Sequence, residues 1–303
     1  MLPSRHRYRN ARGFIVVAVL WILAALSALV LIYLTFVTNT AVVVAASTDR
    51  VRSDALVTAG VELATYQLTA VREDVRPSSG TFAARMGAAR VSVTFRSEAA
   101  RIDLNAAAKG LLAGLIIGLG GAPANAADYA DRILAWRAPG AGEDDSETSS
   151  YRTAGMAYAP RHAPFPVAEE LWLVRGIPPV VVERMLPFVT AFSNMDSINI
   201  VDAAPQVVAA LPGMTPERLQ AVLAQRSDPR FDPRSLPGLA GAGATLEASK
   251  AYRMTIAIDF DNGRRSGAEV VILLLDEGDE PYRVLSWRNA ADGATAPQRA
   301  ALR

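Results

Sequence analysis

The sequence contains no cysteine and only two histidines, His6 and His162, among its 303 residues. A disulfide framework, a thiolate-ligated zinc or iron–sulfur centre, a cysteine nucleophile and a histidine-rich metal site are therefore excluded. Neither sign of charge is in excess: 31 Lys plus Arg stand against 30 Asp plus Glu, a net charge of +1. The chain as a whole is no electrostatic trap for nucleic acid. Charged residues make up only 20% of the chain, whereas hydrophobic ones reach 51% and the mean hydropathy is +0.18. Such a composition excludes disorder throughout and points to a membrane segment. The length allows two compact domains, or one with appendages.

The charge that is present is unevenly placed. Arg5, Arg7, Arg9 and Arg12 lie within the first thirteen residues with no acid beside them, which leaves 27 basic against 30 acidic residues (27 − 30 = −3) in the remainder. From Phe14 to Val37 run 24 residues (37 − 14 + 1) without a charge, Gly or Pro, and about 20 suffice to cross a bilayer core. This is read as a transmembrane segment, too long for the apolar region of a cleaved secretory signal. By the positive-inside rule the N-terminus is cytoplasmic and everything after about residue 40 lies across the membrane. Small and apolar residues continue through Ala41–Ala46, Val51, Ala55, Leu56, Ala59, Leu63, Tyr66 and Leu68 at helical spacing. One helix from Phe14 to about Arg72 is expected, roughly 90 Å long at 1.5 Å per residue.

The basic leader ends in Arg12-Gly13-Phe14 directly before the apolar run, and here the chain resembles a type IV prepilin. The resemblance implies a prepilin peptidase that cuts between Gly13 and Phe14 and methylates Phe14. It also marks a departure. Most members carry Glu at the fifth mature position, where its carboxylate neutralises the N-terminal amine of the preceding subunit; this chain has Ala18.

Beyond the long helix, Val91–Phe95 alternates as a strand does, and three further strand-like runs follow at Met254–Phe260, Ala268–Leu275 and Tyr282–Trp287. Asp261-Asn262-Gly263 and Glu277-Gly278-Asp279 suit hairpin turns, so the sheet is expected to be antiparallel. Residues 97–250 between these β regions read as a mostly helical insert. The insert repeats weakly at an offset of 96: Ile102, Leu104, Ala107, Ala108, Leu111, Leu112 and Leu115 match Ile198, Ile200, Ala203, Ala204, Val207, Val208 and Leu211. Asn105 and Asp202 are the expected helix caps of the two copies.

Several motifs then fall in one order: Ile102-Asp103-Leu104-Asn105-Ala106-Ala107, Ile133-Leu134-Ala135-Trp136-Arg137, Tyr158-Ala159-Pro160 with Pro164-Phe165, Glu170-Leu171-Trp172-Leu173-Val174-Arg175-Gly176, and Ile198-Asn199-Ile200. In this order the chain resembles the K-type minor pseudopilins of the type II secretion system over about residues 12–290. Val201 departs from the Asn that the family favours, while the lack of Glu at Ala18 is characteristic of this member. The expected fold class is α+β: a pilin-like long N-terminal transmembrane helix and a small antiparallel sheet, with a large inserted, mostly helical domain. The expected organisation is a leader at 1–13, the transmembrane segment at 14–37, a periplasmic helix and first strand at 38–96, the insert at 97–250, C-terminal strands at 251–290 and a flexible tail at 291–303. The resemblance implies a non-catalytic subunit at the pseudopilus tip, partnered by the I-type and J-type minor pseudopilins, the inner-membrane secretion platform and the prepilin peptidase, with its head in the periplasm.

Three further site readings follow from the residues. Glu143, Asp144, Asp145 and Glu147 crowd one loop with hard oxygen ligands; calcium, which the resemblance implies for this domain, is the expected structural cofactor, set against a solvated acidic loop. Val174–Pro178 followed by Pro179–Phe192, and Leu211–Thr215 followed by Pro216–Arg226, look like helix-hairpin-helix units. A membrane-anchored periplasmic DNA-binding protein is thus the alternative function, but Pro178 and Thr215 stand where a second hairpin glycine would approach a phosphate, so the units are read as packing modules. For catalysis, His162 with Asp103 or Glu169 and a serine would be needed, but no Gly-x-Ser-x-Gly elbow accompanies them. Trp136, Trp172 and Phe165 are expected core anchors, and Trp21 belongs to the membrane segment.

Overall fold

The computed structural model describes residues 11–139, 146–228, 230 and 232–289, with backbone alone at 11–14, 38–48, 237 and 239. Two units are distinguished, residues 1–55 and 56–303. The first holds the start of helix α1 (Ala11–Thr69). Within it Ile15–Val37 is long and apolar enough to cross a membrane, and its side chains, Trp21 and Phe36 among them, are exposed. The hydroxyl of Thr35 donates to the carbonyl of Ile32 at 2.8 Å, so this side chain answers its own polarity inside the helix, as a bilayer requires.

The second unit is built on a five-stranded antiparallel sheet. Its strands are β1 (Ser79–Met86), β2 (Ala89–Ser97), β7 (Ala251–Phe260), β8 (Arg265–Leu274) and β9 (Tyr282–Asn289), hydrogen-bonded in that order. Alternation decides its faces. Val91, Val93, Phe95, Tyr252, Met254, Ile256, Ile258, Val270 and Ile272 form one core with Val57, Val61, Ala64 and Leu68, which recur every three or four residues along the last turns of α1. Helix and sheet approach closely at Gly60, where a Cβ would meet Val93 at 3.2 Å.

β1 is a strand that the sequence reading lacks. Its run Ser79-Gly80-Thr81-Phe82-Ala83-Ala84 has little β propensity, yet it pairs with β2 along its whole length. Gly80 is required there, since a Cβ would lie 2.5 Å from the ring of Phe95.

The insert connects β2 to β7, neighbours in the sheet. It holds helices α2 (Lys109–Gly118), α3 (Pro123–Arg137), α4 (Ser146–Thr153), α5 (Pro179–Met185), α6 (Pro205–Ala209), α7 (Pro216–Arg226) and α8 (Leu236–Ala240). Two parallel two-residue pairings tie its segments together: β3 (Ile102–Asp103) with β4 (Val189–Thr190), and β5 (Ile198–Asn199) with β6 (Ala244–Thr245). The helix expected over 179–192 stops at Met185 and tightens into a 3-10 turn at Leu186–Phe188, because Pro187 has no N–H to continue the ladder.

The repeat is visible in three dimensions, but the expected caps are not. Ala108 and Ala204 precede α2 and α6 and give no side-chain cap. The turns are instead closed earlier in each copy, by residues separated by the repeat offset of 96: Asp103 accepts from the N–H of Asn105 at 2.7 Å, and Asn199 from that of Val201 at 3.0 Å. Asn105 serves as a spacer, donating to the carbonyls of Phe165 and Ala191 and accepting from the N–H of Phe165. Asp202 accepts from the hydroxyl of Ser79 at 2.7 Å.

In the insert core Trp136 packs against Tyr151 and Phe165, ring centroids 6.0 and 6.2 Å apart. Trp172 is not a core anchor. It is 47% exposed, on a 3-10 helix (Ala168–Leu173) whose buried members are Glu170 and Leu171.

Candidate functional site

On the face of the sheet opposite α1, alternation would ordinarily leave polar residues in water. Here the insert covers part of that face, and the charged side chains find each other. Glu98, one residue beyond β2, is 1% exposed. It accepts from Arg253 of β7 at 2.7 and 3.0 Å, and from the hydroxyl of Thr190 in β4. Arg253 also reaches Glu269 of β8 at 2.5 Å; Glu269 accepts from Arg288 of β9 at 2.9 Å, and Arg288 continues to Glu169 in the insert. This relay joins three strands to two separate segments of the insert.

Its electrostatics follow from burial and pairing. Burial alone would push the Arg253 guanidinium down, but the carboxylates of Glu98 and Glu269 outweigh it and hold the group above its ordinary value. Burial opposes ionisation of Glu269, yet Arg253 and Arg288 together keep its carboxyl below the usual range. Arg101, beside the relay, is pushed down to about 10, first by desolvation and then by Arg253. It stays charged at neutral pH.

The residues singled out for catalysis do not converge. The ring of His162 lies 3.0 Å from the Thr148 hydroxyl and 3.1 Å from the Ala138 carbonyl. Asp103 is engaged by Ser193 and by the N–H of Asn194, and Glu169 by Arg288. At the two hairpins Gly176 and Gly213 take positive φ, 83° and 72°. The nearby arginines turn back onto the chain: Arg132 to Asp128, Arg184 to the Leu119 carbonyl, Arg218 to the Gly213 carbonyl.

Of the four acidic ligand candidates, Glu143, Asp144 and Asp145 lie outside the described residues, and Glu147 sits in the first turn of α4. Among the described residues no group of three or more His, Asp or Glu side chains is arranged to hold a metal. Gly13 and Phe14 fall within α1, where only the backbone is described, and the expected tail at 291–303 lies outside the described residues. The relay escaped the sequence reading because its partners are up to 155 residues apart. Its one local trace is a set of charges at outward positions of three successive strands.

Comparison with known proteins places this architecture. Residues 93–194 match a family model described as type II secretion system (T2SS), protein K. A chain in the crystal structure of the GspK-GspI-GspJ complex from the enterotoxigenic Escherichia coli type 2 secretion system is similar to this one with a TM-score of 0.54 and 18% identity, over 79% of this chain and 95% of that chain. No curated protein matches the sequence. The match extends the α+β fold of this chain to a solved relative over the part that aligns.

Proposed function

We propose that this chain, which carries a type II secretion system protein K domain at residues 93–194, is a non-catalytic minor pseudopilin that forms the tip of the pseudopilus and helps to initiate its assembly. The observation that carries the reading is that the matched residues run from within β2 into the segment inserted between the adjacent strands β2 and β7, whose sheet packs on Val57, Val61, Ala64 and Leu68 of α1. An insert of this size makes the head too wide to stack between identical neighbours in a thin helical filament. Ala18 offers no carboxylate to a preceding subunit's amine, and a buried amine without a partner is costly. Both restrictions vanish for a subunit that nothing precedes.

On this reading the single apolar helix anchors the chain in the inner membrane, N-terminus in the cytoplasm, head in the periplasm. The prepilin peptidase cuts between Gly13 and Phe14 and methylates Phe14, and the partners are the I-type and J-type minor pseudopilins and the inner-membrane platform. The similarity to a chain of a GspK-GspI-GspJ complex supports that choice of partners. Calcium would be held by Glu143, Asp144, Asp145 and Glu147. Co-purification of the full chain, in detergent, with the other minor pseudopilins tests the function: a stable complex is expected, and none forming refutes the reading. Mass spectrometry of the mature chain should find methylated Phe14 at its start, with cleavage beyond residue 37 excluding the processing step. An unchanged melting temperature between chelator and millimolar Ca²⁺ would remove the metal from this account.

A further inference from the structure

The insert and the sheet do not share a hydrophobic core. Among the described residues, every buried member of the insert's core lies between Ile102 and Ala240, and every buried member of the sheet's core lies outside that span. Polar side chains hold the boundary. At the edge strand β1 the hydroxyl of Ser79 donates to Asp202, and at the opposite edge Arg288 of β9 pairs with Glu169. Midway, the hydroxyl of Thr190 donates to Glu98. There the chain leaves and re-enters the sheet side by side, the N–H of Ser249 donating to the Ser97 hydroxyl at 2.8 Å. Ala99, Ala100 and Ala251 beside these crossings, and Val271 opposite Arg253, are buried but join neither core.

Two bodies with separate cores keep their apolar burial when they shift against each other, and relative motion is the default across a boundary that is not large and hydrophobic. The buried pair of Glu98 and Arg253 does not oppose such motion: Glu98 directly follows Ser97 and Arg253 lies on β7, so both stay with the sheet. Only the Thr190 hydroxyl and the two edge contacts would part, and water can replace each. The side chains of Arg288 and Glu169 are 52% and 45% exposed, so water already competes for that pair. A small open cleft lies between Leu186 and Val189 of the insert and Ser286 of β9, which leaves room on that side. We propose that the insert rocks on the sheet about the paired crossings at Ser97 and Ser249, with Ser79–Asp202 and Arg288–Glu169 as clasps at its two edges. One clasp can open while the other stays closed, and the head thereby presents its insert at more than one angle.

The chain has no cysteine, so spin labels can be placed at chosen positions alone. In the full chain in detergent, Glu183→Cys with Asp279→Cys spans insert and sheet, while Glu183→Cys with Gln220→Cys lies within the insert; all three positions are exposed. Pulsed dipolar distance measurements should give a clearly wider distribution across the boundary than within the insert. Glu169→Ala leaves Arg288 paired with Glu269 and should raise the population at longer separations across the boundary by about two- to fivefold, the worth of one partly exposed ion pair. Equal widths for the two label pairs, or a cross-boundary distribution that Glu169→Ala leaves unchanged, overturn the proposal. Should that variant fail to fold, about 1 M sodium chloride screens the same pair in the labelled chain without it, and a distribution unmoved by salt refutes the clasp.

Discussion

Arg137 and Arg226 occupy the same place in the two copies of the repeat. Arg137, the last residue of α3, donates to the carbonyls of Leu104 and Ala107; Arg226, the last residue of α7, donates to those of Ile200 and Ala203. The acceptors are separated by the repeat offset of 96, and in each copy one guanidinium spans two carbonyls of the turn that leads into the next helix. Both arginines are desolvated enough to lie below their ordinary range, opposed by Asp103 in the first case and by Asp202 in the second. A planar fork is suited to such a span, and a lysine ammonium is not.

Arg137→Met and Arg226→Met should therefore each lower stability by about 2–3 kcal/mol in urea unfolding, with Arg→Lys recovering less than half of the loss. Full recovery by lysine would show that charge, rather than the bidentate geometry, is what the turns require.

The buried relay predicts non-additivity. Glu98→Leu alone leaves Arg253 partly unpaired and should cost about 3–5 kcal/mol. Combining it with Arg253→Met should cost clearly less than the two single losses added. Strict additivity in a double-mutant cycle would mean that the 2.7 Å contact carries no coupling.

Acid should loosen the same junction. The Glu269 carboxyl is held below its ordinary value of 4.5 by Arg253 and Arg288 against the opposing effect of burial. Its contribution is complete above the unfolded value and is lost as pH falls through the folded one, so the loss lies below about pH 4.5. Melting temperature measured from pH 7 to pH 3 should fall more steeply in the wild type than in Glu269→Gln. Parallel acid limbs would contradict the assignment.

The two copies of the repeat also meet at a glycine. A Cβ on Gly114 of α2 would lie 2.3 Å from the carbonyl oxygen of Ala210, just past α6. The obstacle is backbone, which cannot rotate away, so Gly114→Ala should destabilise by about 1–3 kcal/mol. Gly110→Ala on the same helix, with open space around it, should be neutral or stabilising. Chemical denaturation of the pair separates the steric effect from helix propensity.

Ala18 provides a test of position in the filament. Ala18→Glu adds a carboxylate within the first turns of the membrane helix, where an ionised acid without a partner is costly, though less so than at the centre. At a tip no amine precedes it, so secretion should not improve and insertion should weaken. Enhanced incorporation along the shaft, followed by cross-linking, would oppose the tip assignment.

Which parts of the molecule were legible follows from how local their causes are. β2, β7 and β8 declare themselves by alternation, the apolar span by length, and α7 by Pro216 at its start and Arg226 at its end. β1 was hidden because Gly80, Ala83 and Ala84 are poor strand formers, and at Gly80 the close ring of Phe95, rather than propensity, decides the residue. Asn105 and Asp202 looked like caps because the polar residue before a helix usually is one; the turns are closed by Asp103 and Asn199, whose role depends on the parallel pairings β3–β4 and β5–β6. Trp172 was misplaced for a similar reason, since an aromatic in an apolar run gives no sign of its face in a 3-10 helix. The partners within the relay could not be assigned without strand register, because only their outward positions are visible in the sequence.

The insert leaves and re-enters the sheet at one point: the hydroxyls of Ser97 and Ser249, 152 positions apart, lie 3.0 Å from each other, and the N–H of Ser249 donates to Ser97 at 2.8 Å. In folding, that contact closes a very long loop, and the β2–β7 pairing beside it joins the halves of the sheet. Loop closure is entropically demanding before it is rewarded, and non-local pairing of this kind is slow. An insert that has already folded brings its two ends together and turns a distant encounter into a local one. A segment that folded before the sheet would thereby serve the pairing of β2 with β7 as well as pack against it.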